Sequence, residues 1–273
     1  MRHRSIITLT TDFGLADHFV GAMKGVILSI NPDAELVDLS HQVSSYDILG
    51  TAFTLAHSCR YFPPGTIHLA VVDPGVGTAR RAILASAGNA MFVAPDNGVL
   101  SLVLDREPDA PSAPAVEVRH ITAEHYFLKP VSNTFHGRDV FAPVAAWLSK
   151  GVKPEQFGEC VTDYVRLSLP RPERLNPKCL RGAVIRIDRF GNVMTNITTA
   201  DVPELFAVSA PPFKIEIQGR EVTRLAANFS AGEPSELIAV MGSSGFVEIA
   251  INRGSAAQIL GVQRGAPVEV ILG

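Results

Sequence analysis

Cysteine is scarce in this chain. Cys59, Cys160 and Cys179 are odd in number and widely spaced, and no CxxC pair occurs. Neither a disulfide framework nor a zinc ribbon is indicated, and buried free thiols are the expectation. Basic excess is missing too: 24 Lys+Arg against 27 Asp+Glu leave a formal net charge of −3, with no footprint for nucleic acid. No apolar run approaches the ~20 residues of a membrane span. The opening MRHRSIITLTTDFG has two arginines but only a short apolar run, broken by Thr and Asp. It reads as a first strand and not as a signal peptide, so a cytoplasmic protein with no membrane partner is expected.

Several familiar motifs are also lacking. DFG and HGRD echo protein-kinase signatures, but the Gly-rich loop and the VAIK-type lysine are missing. GVGTARR is not a P-loop, because GxxxxGK[ST] is absent. GSSG at 242–245 lacks the strand–turn–helix context of a nucleophile elbow. There is no HExxH and no histidine pair at ligand spacing, so no metal is expected.

What is present is a globular composition, 47% apolar and 19% charged, in a chain of 273 residues. That is enough for a substantial core in one large or two modest domains. SIITLTTD, AELVDLS and GTIHLAVVD read as strands. Between them, ADHFVGAMKGVILSINP sets Phe19, Met23, Val26 and Ile27 at helical spacing, and YDILGTAFTLAHSCRYF does the same with Ile48, Ala52, Leu55 and Cys59. RAILASAG and NAMFVAPDNG look like a following pair of strands. The expected first domain, residues 1–166, is therefore α/β, a mixed, mostly parallel sheet with helices on both faces. LSLPRPERLNPKC, residues 167–179, has three prolines and reads as a linker. Residues 180–273 alternate in short strands with Gly-rich turns, as in a smaller all-β, barrel-like domain.

Ligands of α/β sheets gather beyond the carboxyl ends of strands. Three polar clusters are expected there: TTDFGLAD, DPGVGTARR and NTFHGRD. Each has a plain alternative. Asp12 could cap a helix, Asp73-Pro74-Gly75 makes a good turn, and His136 could be a satisfied, partly buried histidine. The charges within AVVDPGVGTARRAILA, residues 70–85, fit a solvated turn, a phosphate cradle or a reaction centre. DRFGN, with Asp188 and Asn192, suits a β-turn, and Phe229 is core by default.

Five blocks resemble a known family: TTDFGLADHFVGAMKGVI, AVVDPGVGTARR, FVAPDNGVL, NTFHGRDVFAP and IDRFGNVMTNI. In order and content the chain is similar to the S-adenosylmethionine hydroxide adenosyltransferases, or SAM hydrolases, relatives of the fluorinase and chlorinase. The resemblance implies hydrolysis of S-adenosylmethionine to adenosine and methionine without a cofactor. It implies a catalytic set of Asp73, Arg80 and His136, with Arg81 left as ordinary surface. The halogenating relatives differ at the positions of Asp73 and His136. Halide-dependent adenosyl transfer is the alternative reaction, and a non-catalytic S-adenosylmethionine or adenosine sensor the alternative class.

The substrate contacts that it implies are Asp12 on the ribose hydroxyls and Asp17 towards the amino-acid end. Thr134 and Phe135 would line the nucleoside pocket, with Tyr46 as an aromatic lid. In the second domain Asp188 would hold the methionine amine and Asn192 the adenine edge, with Phe190 and Phe229 against the base. Ser243 and Ser244 fall near the methionine carboxylate, Ser244 standing where halogenating relatives have an arginine. The resemblance also implies a homotrimer whose sites lie between one subunit's first domain and its neighbour's second.

Overall fold

The structure is a computed structural model, and it describes residues 4–105, 115–207 and 209–273. The chain divides into two compact units, Met1–Ser168 and Leu169–Gly273. Among the described residues no helix is long and apolar enough to cross a membrane.

The first unit is a six-stranded mixed sheet in the order β2-β1-β3-β5-β4-β6. Its parallel part comprises β1 (Ile6–Thr11), β2 (Glu35–Ser40), β3 (Ile67–Val71) and β5 (Ala90–Pro95). The strands β4 (Ala82–Ala87) and β6 (Glu117–His120) add an antiparallel edge. Strand side chains alternate between faces, and each face has its own cover. Ile7, Leu9, Ile67 and Leu69 pack with Met23 and Ile27 of α1 (Phe19–Ile30) and with Val144, Ala145 and Leu148 of α4 (Ala142–Ser149). Ala70, Phe92 and Ala94 face Leu55 of α2 (Ile48–Ser58) and Leu100, which leads into α3 (Ser101–Leu104). Asp47 caps α2 by accepting the Gly50 N–H, whereas α1 starts at His18 with no side-chain cap, so Asp12 is not a capping residue.

The order of the strands makes the site. From β1 the chain crosses to β2 on one side, then returns through α2 to β3 on the other. Thr11 and Val71, the last residues of β1 and β3, lie side by side in parallel register. The direction of winding reverses between them, and such a switch point opens a crevice at the carboxyl ends of the strands.

The second unit is a mostly antiparallel sheet that curls into a half-barrel. Its central strands are β8 (Cys179–Ile187), β9 (Val193–Thr198), β14 (Phe246–Ile251) and β13 (Leu237–Met241). On one side follow β15 (Pro267–Leu272), β10 (Phe213–Ile217) and β11 (Arg220–Val222), and on the other the two-residue β12 (Leu225–Ala226). Among its described residues one short α-helix, α5 (Ala256–Leu260), packs with Val193, Ile249 and Ile251.

Three expectations need correction. The proline-rich segment is not a plain linker: within it β7 (Glu173–Asn176) pairs with β8, and Asn196 Nδ2 donates to the Pro170 carbonyl at 2.6 Å. The cysteines are free but not buried, since Cys160 is exposed and the other two are half-buried. Arg81 is not ordinary surface. Its Nε donates to Asp96 Oδ2 at 2.8 Å, and Nη1 and Nη2 donate to Asp163 at 2.7 and 2.8 Å. Asp96 in turn accepts the Val165 N–H at 2.8 Å, so Arg81 fastens the end of the first unit to β5.

Two predictions follow from this packing. Arg81→Ala strips the buried Asp96 of its main donor, while the exposed Asp163 arm contributes little. The expected loss is about 1–3 kcal/mol, read from urea unfolding. The second concerns His68, which bonds Thr8 at 2.8 Å and stacks on Phe92, and whose Nε2 has no partner among the described residues. Burial pushes its imidazole down to about 4. Between that value and ~6.5 the unfolded chain binds a proton that the folded chain refuses, so stability rises with pH across this window. Acidification should cost roughly 3 kcal/mol, complete below about pH 4, and His68→Leu should flatten this part of the urea-midpoint profile.

Candidate active site

The Asp73–Arg80 loop leaves β3 and re-enters the sheet at β4. Asp73, Pro74 and Gly75 begin a tight turn in which the Val76 N–H bonds the Asp73 carbonyl at 3.2 Å. Gly77 has φ +78°, a left-handed conformation, and a Cβ there would lie 2.2 Å from the Asn133 carbonyl oxygen. The loop therefore rests directly on the segment that carries Thr134, Phe135 and His136. Its ends are clamped by the PDN of FVAPDNGVL. Asn97 Nδ2 donates to the Val72 carbonyl at 2.8 Å, and the Asp96 N–H bonds the Arg81 carbonyl at 2.9 Å.

Those contacts bring Asp73, Arg80 and His136 together. Arg80 Nε lies 2.9 Å from both Asp73 oxygens, Nη2 also donates to Oδ2, and Nη2 lies 2.8 Å from His136 Nδ1. The guanidinium stands over the Phe141 ring, 5.1 Å from its centroid. A guanidinium only donates hydrogen bonds, so His136 Nδ1 must be the accepting nitrogen. The neutral ring then carries its proton on Nε2. Burial and the Arg80 charge hold the His136 imidazolium below its ordinary value, against the pull of Asp73 and Asp139. At neutral pH the site thus presents a carboxylate and an imidazole N–H donor, joined through one guanidinium.

The His136 side of the site is built from NTFHGRDVFAP. Pro143, at the start of α4, has no N–H to offer the carbonyl of Asp139, and a π-turn over Gly137–Phe141 precedes the regular helix. The freed Asp139 carbonyl accepts the Leu128 N–H at 2.8 Å. The buried Asp139 carboxylate accepts from Arg138 Nε at 2.6 Å and from the Ser132 N–H at 2.9 Å, fixing the loop before the histidine. Thr134 Oγ1 lies 3.1 Å from Ser132 Oγ. Phe135 is buried, edge-on to Phe13 and Phe19 at 6.0 and 5.3 Å.

Asp12 follows β1, at the same edge of the sheet as Asp73. Its Oδ2 accepts the Tyr46 N–H at 2.8 Å, and Oδ1 has no hydrogen bond among the described residues. Tyr46 is exposed and has φ +67°, a strained conformation for a tyrosine. Asp17 is exposed and bonds none of the described residues.

The remaining candidates lie in the second unit. Asp188 and Asn192 do form a turn between β8 and β9, and its hydrogen bonds prescribe their orientation. Asp188 Oδ1 accepts the N–H groups of Phe190 and Asn192 at 2.8 and 2.9 Å, and Oδ2 accepts from Asn192 Nδ2 at 2.8 Å. Because a carboxylate only accepts, the Asn192 amide turns its NH2 to Asp188 and its Oδ1 away. Phe190 and Phe229 are 78% and 45% exposed, so neither belongs to the core. Ser243 and Ser244 form the turn between β13 and β14, where Ser244 Oγ approaches Met194 Sδ at 3.8 Å.

Glu248 escaped the sequence reading. It is only 7% exposed, its carboxyl group has no hydrogen bond among the described residues, and it lies so close to Gly242 that a Cβ there would be 1.9 Å from its Oε1. Burial, then the nearby Asp188 charge, raise its carboxyl above the ordinary range. The available signal was a lone acid between Val247 and Ile249 in FVEIAI. Among the described residues no three His, Cys, Asp or Glu side chains are grouped so as to hold a metal ion.

Comparison with known proteins identifies the family. The family models for the SAM hydroxide adenosyltransferase N-terminal and C-terminal domains match residues 7–158 and 182–269. The (R)-S-adenosyl-L-methionine hydrolase of Salinispora tropica is 38% identical over 98% of both chains. That of Thermus thermophilus is also 38% identical, over 96% of this chain and 97% of the relative. The fluorinase of Nocardia brasiliensis is 28% identical over 99% of this chain and 98% of its own length. A solved structure, described as an uncharacterized conserved protein from Thermotoga maritima, superposes with a TM-score of 0.87 at 38% identity, covering 97% of this chain and 99% of that one. Carrying both domain models in sequence, this chain belongs to the SAM hydroxide adenosyltransferase family.

Proposed function

We propose that this protein hydrolyses S-adenosyl-L-methionine to adenosine and L-methionine by in-line attack of one water on the ribose 5′ carbon. The observation that carries this reading is the Arg80 guanidinium bonded to both Asp73 and His136 at the carboxyl end of β3. The relatives named as hydrolases, at 38% identity over nearly the whole chain, support it.

The chemistry explains the residue types. The sulfonium leaves as a neutral thioether, taking the electron pair of its bond to the 5′ carbon, so no general acid is required. The demanding part is the nucleophile. Asp73 accepts one water O–H, and His136 Nε2–H donates to the water oxygen, leaving one lone pair for the carbon. As the C–O bond forms, the released proton passes to the Asp73 carboxylate. Orientation of this kind is worth ~7–11 kcal/mol in the best cases. A positioned base adds roughly 10²–10⁴-fold. In this arrangement His136 orients the water while Asp73 is the base.

The substrate contacts are proposals in the same frame. Asp12, with Oδ1 open, receives the ribose hydroxyls, and Thr134 and Phe135 line the nucleoside pocket. Asn192 Oδ1 accepts from the adenine amine while its other end stays on Asp188. Asp188 takes the methionine ammonium, Ser243 and Ser244 the carboxylate, and Phe190 and Phe229 the adenine faces. Tyr46 acts as the lid and Asp17 supports the amino-acid end. A homotrimer is part of the proposal, checked by a native mass of three chains.

Product analysis is the direct test. In ¹⁸O-enriched water the label should enter the adenosine 5′-hydroxyl, and its absence there would overturn attack by solvent. A 5′-chloronucleoside formed in chloride buffer would instead establish halide transfer. Asp73→Ala and His136→Ala should lower kcat by about 10²-fold or more while substrate still binds. Equal loss of binding and turnover would sink the assigned roles and leave room for a sensor. By NMR, His136 should titrate below 6.5, and Arg80→Met should move its midpoint upward by removing the neighbouring charge.

A further inference from the structure

Among the described residues the carboxylate of Asp12 is held directly only by the Tyr46 N–H, yet the chain on either side of it is fixed by one buried residue in another loop. His41 lies just past β2. Its Nδ1 is 2.8 Å from Thr11 Oγ1, immediately before Asp12, and its carbonyl accepts the Gly14 N–H at 2.7 Å, two residues after it. Thr11 Oγ1 also accepts the Phe13 N–H at 3.3 Å. The far nitrogen, Nε2, is 2.9 Å from Asp38 Oδ1, at ion-pair distance although the ring N–H meets the oxygen obliquely. Asp38 is anchored in turn to Lys24 of α1 at 2.7 Å.

Asp38 can only accept, so the His41 tautomer with its proton on Nε2 suits it and leaves the Nδ1 lone pair facing Thr11 Oγ1. In that tautomer the Thr11 hydroxyl donates to Nδ1, and its own lone pair is left for the Phe13 N–H. Lys24, Asp38, His41, Thr11 and Phe13 thus form one series of polar contacts, with hydrogen bonds at Lys24–Asp38, His41–Thr11 and Thr11–Phe13 and an ion-pair-distance contact at Asp38–His41. It begins on α1, the helix that packs under the site, and ends on the loop that carries Asp12.

We propose that His41 is a positioning residue for Asp12. Acting through Thr11 and Gly14, it sets the carboxylate at the distance needed to distinguish a ribose from a 2′-deoxyribose. The proposal rests on the reading of Asp12 as the acceptor for the ribose hydroxyls. A carboxylate that drifts by a fraction of an ångström still attracts a cationic substrate, but it no longer makes two well-aligned hydrogen bonds. Loss of the relay should therefore reduce sugar discrimination far more than turnover.

The test compares calorimetric Kd values for adenosine and 2′-deoxyadenosine, with kcat for S-adenosylmethionine measured in parallel. Thr11→Val keeps the side-chain shape but removes the hydroxyl, and His41→Gln removes the imidazole. Each should reduce the Kd ratio about tenfold, the worth of one well-made hydrogen bond. Saturated kcat should stay within about twofold. Asp12→Ala serves as the reference and should abolish the ratio. If Asp12→Ala leaves the ratio unchanged, the ribose reading fails and the positioning role falls with it. If Asp12→Ala abolishes it while folded Thr11→Val preserves it, the ribose reading stands and the role of His41 is overturned. Thr11→Val decides the matter alone should His41→Gln fail to fold.

Discussion

The site depends on the fact that Arg80 can only donate. One guanidinium, shared between a carboxylate and an imidazole, settles three things together. It fixes the Asp73 oxygens, commits His136 to the tautomer with hydrogen on Nε2, and discourages a second proton on that ring. It also sets the charge. Asp73 and Arg80 cancel, and His136 is neutral. For the proposed reaction this matters because the sulfonium loses positive charge on the way to the transition state. A net anion beside it would stabilise the bound substrate more than the transition state, which works against catalysis. A neutral pair with its carboxylate end towards the water avoids that penalty.

The framework behind the triad is a matter of parallel strands. Asp12 and Asp73 follow neighbouring strands in register, so their separation is inherited from strand spacing and not from loop conformation. Polar residues at loop bases complete the arrangement: Asp96 and Asn97 hold the Asp73 loop, Asp139 holds the His136 loop, and His41 holds the Asp12 loop. The three loops are thus each held by hydrogen bonds from polar residues at their bases.

Much of this was legible in the sequence. The alternation of strands and helices through β5 follows from side-chain periodicity, and the three polar clusters fall where an α/β sheet places its ligands. The family blocks singled out Asp73, Arg80 and His136 with the right spacing, and the structure joins them. What periodicity could not supply were long-range polar partners. Arg81 looked like surface because its acids, Asp96 and Asp163, are fifteen and eighty-two positions away. The prolines of 167–179 suggested a linker, yet Pro170, Pro172 and Pro177 all flank β7, a four-residue edge strand that pairs with β8. Glu248 was hidden in an otherwise apolar strand. The proton on His136 Nε2 was inaccessible to sequence for the same reason: it follows from which nitrogen faces Arg80.

The contact of Gly77 with the Asn133 carbonyl has a mechanical consequence. With no side chain between them, the loop bearing Asp73 and Arg80 and the loop bearing His136 have no slack to slide past one another. Neither can swing out as an independent flap. Any opening that admits a ligand must hinge elsewhere, for instance around the exposed Tyr46, and leave Asp73, Arg80 and His136 as one rigid jaw.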